Sequence, residues 1–305
     1  MKKRIEVALI FLFLTLFSLG TIYPVLNILG VSLRTDNAFQ TRSLLLIQVD
    51  ENYTDLNNNE QWNNGEPFTD TNNNGRWDSG SSLNSYLTLF AETDFLLWAR
   101  NSFLISLLVT LMGVVFASTG GYALSRFRFR GREFGMTALL TTQMFPATML
   151  LLPFFILLSY LGLINSYIGL IVIYSSTALP FCIWQMKGYY DTIPPSLEES
   201  ARLDGCTRFQ AFYKVILPLS TPALVITALF SFMASWSEYV VAAIILQDPK
   251  LYTLPLGLKS FQASLSTQWG LYAAGAVVVS IPVTILFISL SRYLVSGLTM
   301  GSVKG

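Results

Sequence analysis

The sequence predicts an all-α membrane protein of about six transmembrane helices, with a small extracytoplasmic insert between the first two. Three observations carry that expectation. Hydrophobic residues fill 52% of the 305 positions and charged residues only 12%, about half the charged share of a soluble domain. Apolar stretches of the roughly 20 residues needed to cross a bilayer recur over 7–33, 95–124, 134–161, 164–186, 217–246 and 271–298. Basic residues collect on alternate connections, as they do on the cytoplasmic side of a bundle.

The first stretch follows Lys2-Lys3-Arg4, as a signal peptide would. Its apolar run outlasts the roughly 7–15 residues of a signal segment, so 1–34 reads as an uncleaved anchor helix. With that N-terminus inside, Arg126, Arg128, Arg130 and Arg132 fall on a cytoplasmic connection, and both termini are cytoplasmic. Pro146, Pro153, Pro180, Pro222 and Pro282 lie within the apolar stretches and are expected to kink them. Residues 35–94 form the extracytoplasmic insert and 95–305 the core domain.

The absences are informative. There is no histidine, which excludes His-dependent catalysis and His-ligated metal sites. Cys182 and Cys206 read as small apolar residues. No Gly-rich phosphate loop followed by Lys and Ser or Thr occurs. The chain is therefore not expected to be an enzyme or to hold an intrinsic cofactor, and ATP, if it powers transport, binds a separate subunit. A net charge of +1 gives no reason to expect nucleic acid.

Between the fourth and fifth stretches lies a polar connection, 187–218. Pro194 and Pro195 stop the preceding helix. Ser196 and Glu199 are spaced as a capping box, as are Thr207 and Gln210. Glu198 and Glu199 suit the positive end of a helix dipole, and Gly205 suits a left-handed helix end. Phe209, Phe212, Tyr213 and Ile216 follow at i, i+3, i+4 and i+7, an apolar stripe that needs a groove or the membrane interface to cover it. Small residues at Ser200, Ala201 and Gly205 allow a partner's surface to approach closely, and Pro218 opens the next span. An ordinary amphipathic interfacial connection is the plainer alternative.

Within this connection, Glu199-Ser200-Ala201-Arg202-Leu203-Asp204-Gly205 followed by Val215-Ile216-Leu217-Pro218 resembles the EAA motif of binding-protein-dependent ABC importer permeases. Ser200 stands where the family has Ala, and Val215 where it has Ile. The resemblance implies the type I (MetI-like) permease fold in a bacterial inner membrane. It also implies a loop that docks into an ATPase cleft through Glu198, Glu199, Ser200, Ala201, Asp204, Gly205, Phe209 and Pro218. Asn101-Ser102, Tyr122-Ala123-Leu124-Ser125-Arg126-Phe127, Trp236-Ser237-Glu238-Tyr239, the stretch 251–258 and the ending 291–305 resemble the carbohydrate branch, most of all its six-span maltose/maltodextrin permeases. That branch implies a second permease, two ATPase subunits and an extracytoplasmic sugar-binding protein.

Glu238 stands deep in an apolar segment, where a carboxylate is costly and marks a wet cavity or the bundle interior. Local hydrogen bonding at a bend is the alternative. With Trp236 and Tyr239 it offers a ring face and polar groups, the pairing a sugar path needs.

The insert repeats with a period of 15, through Asp55/Asp70, Asn57/Asn72, Asn59/Asn74, Trp62/Trp77 and Gly65/Gly80. Asp70, Asn72, Asn74 and Asp78 occupy the first, third, fifth and ninth places of an EF-hand-type loop, with Gly75 at the turn. The Asp55 copy has Glu66 at the twelfth place but Glu60 at the turn, whereas the second copy has Ser81 at its twelfth place. The two halves together predict a Ca²⁺ site over 50–82 that draws on Asp55, Asn57, Asn59, Glu66, Asp70, Asn72, Asn74 and Asp78. It would prop the insert near the docking face for the binding protein. A solvated Asn-rich hairpin is the alternative. Were the insert the working part, the chain would instead be a membrane-anchored calcium-binding receptor or adhesion module.

Overall fold

The computed structural model describes residues 2–34, 51–56, 62–69, 77, 80–262 and 267–300. The helices are α1 (Lys2–Ser32), α2 (Asn84–Ala91), α3 (Phe95–Arg126), α4 (Arg132–Thr142), α5 (Leu151–Tyr160), α6 (Tyr167–Thr192), α7 (Ser196–Leu203), α8 (Arg208–Ala211), α9 (Leu217–Leu219), α10 (Thr221–Trp236), α11 (Val240–Ile245), α12 (Leu254–Ser260) and α13 (Trp269–Met300). The chain divides into two compact units, Met1–Leu96 with Leu258–Ile281, and Leu97–Gly257 with Pro282–Gly305.

Four helical segments are long and apolar enough to span a bilayer: Leu9–Ser32, Phe95–Arg126, Tyr167–Thr192 and Trp269–Tyr293. A fifth is a bent pair, Arg208–Leu219 and Thr221–Trp236, which meet at 78°. The remaining expected span, 134–161, is divided. Helix α4 ends at Thr142, Pro146 is extended (φ −56°, ψ 132°), and a 3₁₀ turn, Ala147–Leu150, leads into α5. Pro146 has no N–H for the ladder and holds its predecessor away from helical angles, so the break falls there. Pro180 and Pro282 lie inside α6 and α13, which continue past them.

In the first unit, α1 is apolar all round, and no part of its most hydrophobic window is buried within the chain. A helix of that kind is solvated by lipid. Its end is tied locally: Ser32 Oγ shares a hydrogen bond with Tyr86 Oη at 2.8 Å, and the Leu33 carbonyl accepts from Ser82 N–H at 2.7 Å. In the insert, Tyr53 and Phe68 form an antiparallel bridge, with Thr54 N–H donating to the Pro67 carbonyl and Thr69 N–H to that of Asn52, both at 2.8 Å. The repeated tryptophans meet face to face, Trp62 and Trp77 stacking with centroids 5.4 Å apart.

In the second unit, α3, α6 and α10 pack closely. Thr227 donates to Gln185 Oε1 at 2.7 Å, and Cys182 Sγ lies 3.5 Å from Ser231 Oγ. One core gathers Ile105, Val109, Leu170, Ile173 and Tyr174 against Val241 and Ile245 of α11. A second gathers Tyr122, Cys182, Met186, Tyr190, Phe212 and Ile216 beneath the polar connection.

Candidate functional site

The polar connection folds as two short helices with a break. Helix α7 starts differently from expectation. Pro195 is the N-cap, with no side-chain cap, and Ser196 is the first helical residue, so the Ser196–Glu199 capping box does not form. The first turn is closed by the carbonyls of Pro194 and Pro195, which accept from Leu197 and Glu198 N–H at 3.2 and 3.0 Å. Glu198 turns to the end of α3 and pairs with Arg126. Glu199 is exposed.

The break itself follows expectation. Gly205 has φ +91°, a conformation other L-residues adopt at a cost. Cys206 N–H donates to the Ala201 carbonyl at 3.0 Å and Gly205 N–H to that of Arg202 at 3.1 Å, the paired bonds of a Schellman helix end. Thr207 and Gln210 form the second capping box in both directions, at 3.2 and 2.8 Å.

Beyond α8 the chain makes a π-helical turn, Phe212–Ile216, in which Leu217 N–H reaches the Phe212 carbonyl. Pro218 follows with no N–H to give, and Ser220 ends the turn by donating its hydroxyl to the Ile216 carbonyl at 2.7 Å. Wide turns of this kind re-aim the chain at functional sites.

The apolar stripe divides between two tasks. Phe212 and Ile216 are buried, and the Phe212 ring lies 4.5 Å from that of Tyr122. Phe209 is 72% exposed and Tyr213 43%, beside Leu203 at 89%. Next to them opens a cleft of about 590 Å³ lined by Glu199, Arg202, Leu203, Cys206, Thr207 and Arg208. Of the residues expected to couple, Glu199, Ser200, Asp204, Gly205, Phe209 and Pro218 are exposed, Ala201 is half-buried, and Glu198 is turned inward. An exposed apolar surface rimmed by charges of both signs is suited to docking a soluble partner.

Glu238 is placed at a break between α10 and α11. Its Oε1 accepts from Val241 N–H at 2.8 Å, and its Oε2 from Ala242 N–H at 3.2 Å and the Tyr174 hydroxyl at 2.7 Å. These contacts favour the local reading, a carboxylate capping α11. Trp236 is buried and stacks on Phe232 at 5.3 Å, and Tyr239 packs against the first core. Glu238→Ala is expected to destabilise the chain by about 1 kcal/mol through loss of a helix cap, read as a lower thermal midpoint in detergent.

Sequence reasoning missed the partners of the 249–254 loop. Trp98 Nε1 donates to the Pro249 carbonyl at 3.0 Å, and Asn101 Nδ2 to those of Lys250 and Tyr252 at 2.9 and 3.1 Å. Ser102 Oγ accepts from Leu254 N–H at 2.6 Å. Asn165, at φ +55°, accepts from Gln247 and Asp248 N–H. Asn101 and Ser102 at the head of an apolar run were the available signal.

The calcium expectation finds no support among the described residues. Asn57, Asn59, Asp70, Asn72, Asn74 and Asp78 lie outside them. The Glu66 carboxylate, expected to grip the ion, accepts instead from Leu56 N–H at 3.1 Å and Asn63 N–H at 2.8 Å. Among the described residues no group of three or more His, Cys, Asp or Glu, Asp55 included, is arranged to hold a metal ion.

The sequence pattern of the binding-protein-dependent transport system inner membrane components matches residues 90–300. The chain belongs to this family. The permease is 33% identical over 296 residues to the maltodextrin transport system permease protein MdxG of Bacillus subtilis, covering 97% of this chain and 95% of that protein. It is 30% identical to the maltodextrin transport system permease protein MalD of Streptococcus pneumoniae, over 100% and 98% of the two chains. The maltose/maltodextrin transport system permease protein MalG of Yersinia pestis is 40% identical, with 69% of this permease and 71% of that protein covered. In fold, the permease is similar to a chain of a bacterial ABC transporter involved in the import of the acidic polysaccharide alginate, with a TM-score of 0.74, 23% identity, and 96% and 98% of the two chains covered. These matches identify a multi-pass, all-helical ABC importer permease subunit rather than an enzyme, and they leave the receptor or adhesion reading without support.

Proposed function

We propose that this permease forms half of the translocation path of an ATP-driven importer for maltose and maltodextrins in a bacterial inner membrane. A second permease supplies the other half, two ATPase subunits dock on the cytoplasmic side, and an extracytoplasmic binding protein delivers the sugar. The observation that carries the reading is the α7–Gly205–α8 element, which presents Leu203, Phe209 and Tyr213 to solvent beside a mixed-charge cleft. Full-length similarity to two maltodextrin permeases supports the substrate class. The basic loop Arg126–Arg132 supports cytoplasmic termini. The start of the family match at residue 90 supports the division into an anchor at 1–34, an insert at 35–94 and a core domain from 95.

Deleting the gene in its source organism is expected to abolish ATP-dependent uptake of radiolabelled maltotriose, and plasmid-borne permease to restore it. Tagged permease is expected to purify with an ATPase subunit and a second permease. Normal maltotriose uptake in the deletion strain would overturn the substrate, and repeated purification without an ATPase would overturn the importer.

A further inference from the structure

Resting on the importer reading above, we infer that Glu198 is a positioning residue, the inner half of an ion-pair latch that fastens the docking helix α7 to the cytoplasmic end of α3. Two neighbouring glutamates open α7, and the fold gives them different surroundings. Glu199 faces solvent on the rim of the docking cleft. Glu198 turns the other way, and its carboxylate is fully engaged within the chain. Arg126 Nε pairs with its Oε1, and the Tyr122 hydroxyl donates to its Oε2 at 2.7 Å. Arg126 also donates from Nη2 to the Ile193 carbonyl at 2.8 Å, so one guanidinium grips both the end of α6 and the first turn of α7.

The pair is well shielded, with side-chain exposures of 12% for Arg126 and 14% for Glu198. Charges removed from water to that degree attract strongly, and loss of one partner leaves the other uncompensated. The surroundings reinforce the grip. The Tyr122 ring packs on Phe212 of the π-helical turn, and the Arg208 guanidinium lies 5.8 Å over Phe127, just past the end of α3.

Connectivity gives the latch its function. Helix α7 is joined covalently to α6 on one side and, through α8 and the π-turn, to α10 on the other. It has no such link to α3, which lies some 70 residues earlier. The Arg126–Glu198–Tyr122 cluster supplies that connection at the point nearest the docking face. A push on α7 from a closing ATPase therefore reaches α3 through charge-assisted hydrogen bonds, which are short, directional and difficult to slip.

The test uses the complete complex in proteoliposomes, with the binding protein and maltotriose as probe, and compares E198Q, E198R, R126E and the exchanged pair E198R/R126E. Because Glu198 points inward, the amount of ATPase subunit co-purifying is expected to stay within about twofold of wild type in every variant. Maltotriose transported per ATP hydrolysed is expected to fall about tenfold in E198R and R126E, and less in E198Q, whose amide still accepts from Tyr122. The exchanged pair is expected to recover to within about twofold of wild type. A purely structural role would lower complex yield in step with transport and leave the ratio unmoved, and that result overturns the latch. So does an unchanged ratio in E198Q and E198R alike, or loss of ATPase binding that the exchanged pair fails to restore, which would place Glu198 in the docking surface itself. Wild-type complex that hydrolyses ATP without moving maltotriose would overturn the substrate reading. The latch would then be judged by whether binding-protein stimulation of the ATPase is lost in E198R and regained in the exchanged pair.

Discussion

Gly205→Trp is expected to leave the permease inserted in the membrane and to lower uptake about tenfold or more. A non-glycine residue held in the left-handed region costs roughly 1–2 kcal/mol, which moves a local conformational equilibrium by a factor of about 5–30. Among the described residues, Gly205 and its two neighbours aside, no heavy atom lies within 4 Å of a Cβ built at Gly205, so the permease itself has room for a side chain and the bulk projects onto the exposed surface proposed to dock the ATPase. Gly205→Ala separates the two causes, since it brings the strain without the bulk. Uptake and ATPase binding measured on both variants decide the matter. If Trp behaves like wild type in both assays, the break between α7 and α8 does not couple transport to hydrolysis.

Gly121→Leu is expected to have a larger effect on the fold than any substitution in the docking loop. A Cβ at Gly121 would lie 2.8 Å from Met186 Cβ and 2.9 Å from the backbone nitrogen of Lys187. The obstacle is another helix's backbone, so no rotamer change relieves it and α3 and α6 must separate. Membrane helices gain most of their association from close van der Waals packing across small residues, and overpacking of this kind typically costs about 1–3 kcal/mol. The expected result is a thermal midpoint lowered by several degrees in detergent and a reduced yield of assembled complex, with Gly121→Ala intermediate. A Leu variant that melts with wild type would show that the two helices have slack at this crossing.

Much of the architecture was legible because its causes are local. Apolar length located the spans, and Gly205 and the Thr207–Gln210 box were readable because a left-handed turn and a reciprocal cap involve only near neighbours. The misreadings share a different origin. Ser196 looked like a cap, but Pro195 takes the cap position, and the glutamate that defines this turn, Glu198, finds its partner 72 residues away at Arg126. At Glu238 the apolar window left a cavity carboxylate and a local bend both open, and the two amides of α11 that the carboxylate caps became visible only in the fold. The 134–161 stretch read as one span because hydropathy averages over the interruption at Pro146. In the insert, the 15-residue repeat identified two tryptophans that stack on each other, while the oxygen ligands it suggested remain without structural support.

Helix α3 runs for 32 residues without interruption, about 48 Å at the α-helical rise. Close to its first turn, Trp98, Asn101 and Ser102 hold the 249–254 loop by its backbone, and at its last residue Arg126 holds α7. The same length of hydrogen-bonded backbone therefore terminates in a grip at each end. A helix resists stretching far better than the loops it joins, so α3 is a stiff link between these two grips. A displacement at the Arg126 grip is carried to the 249–254 loop as a shift of the whole helix.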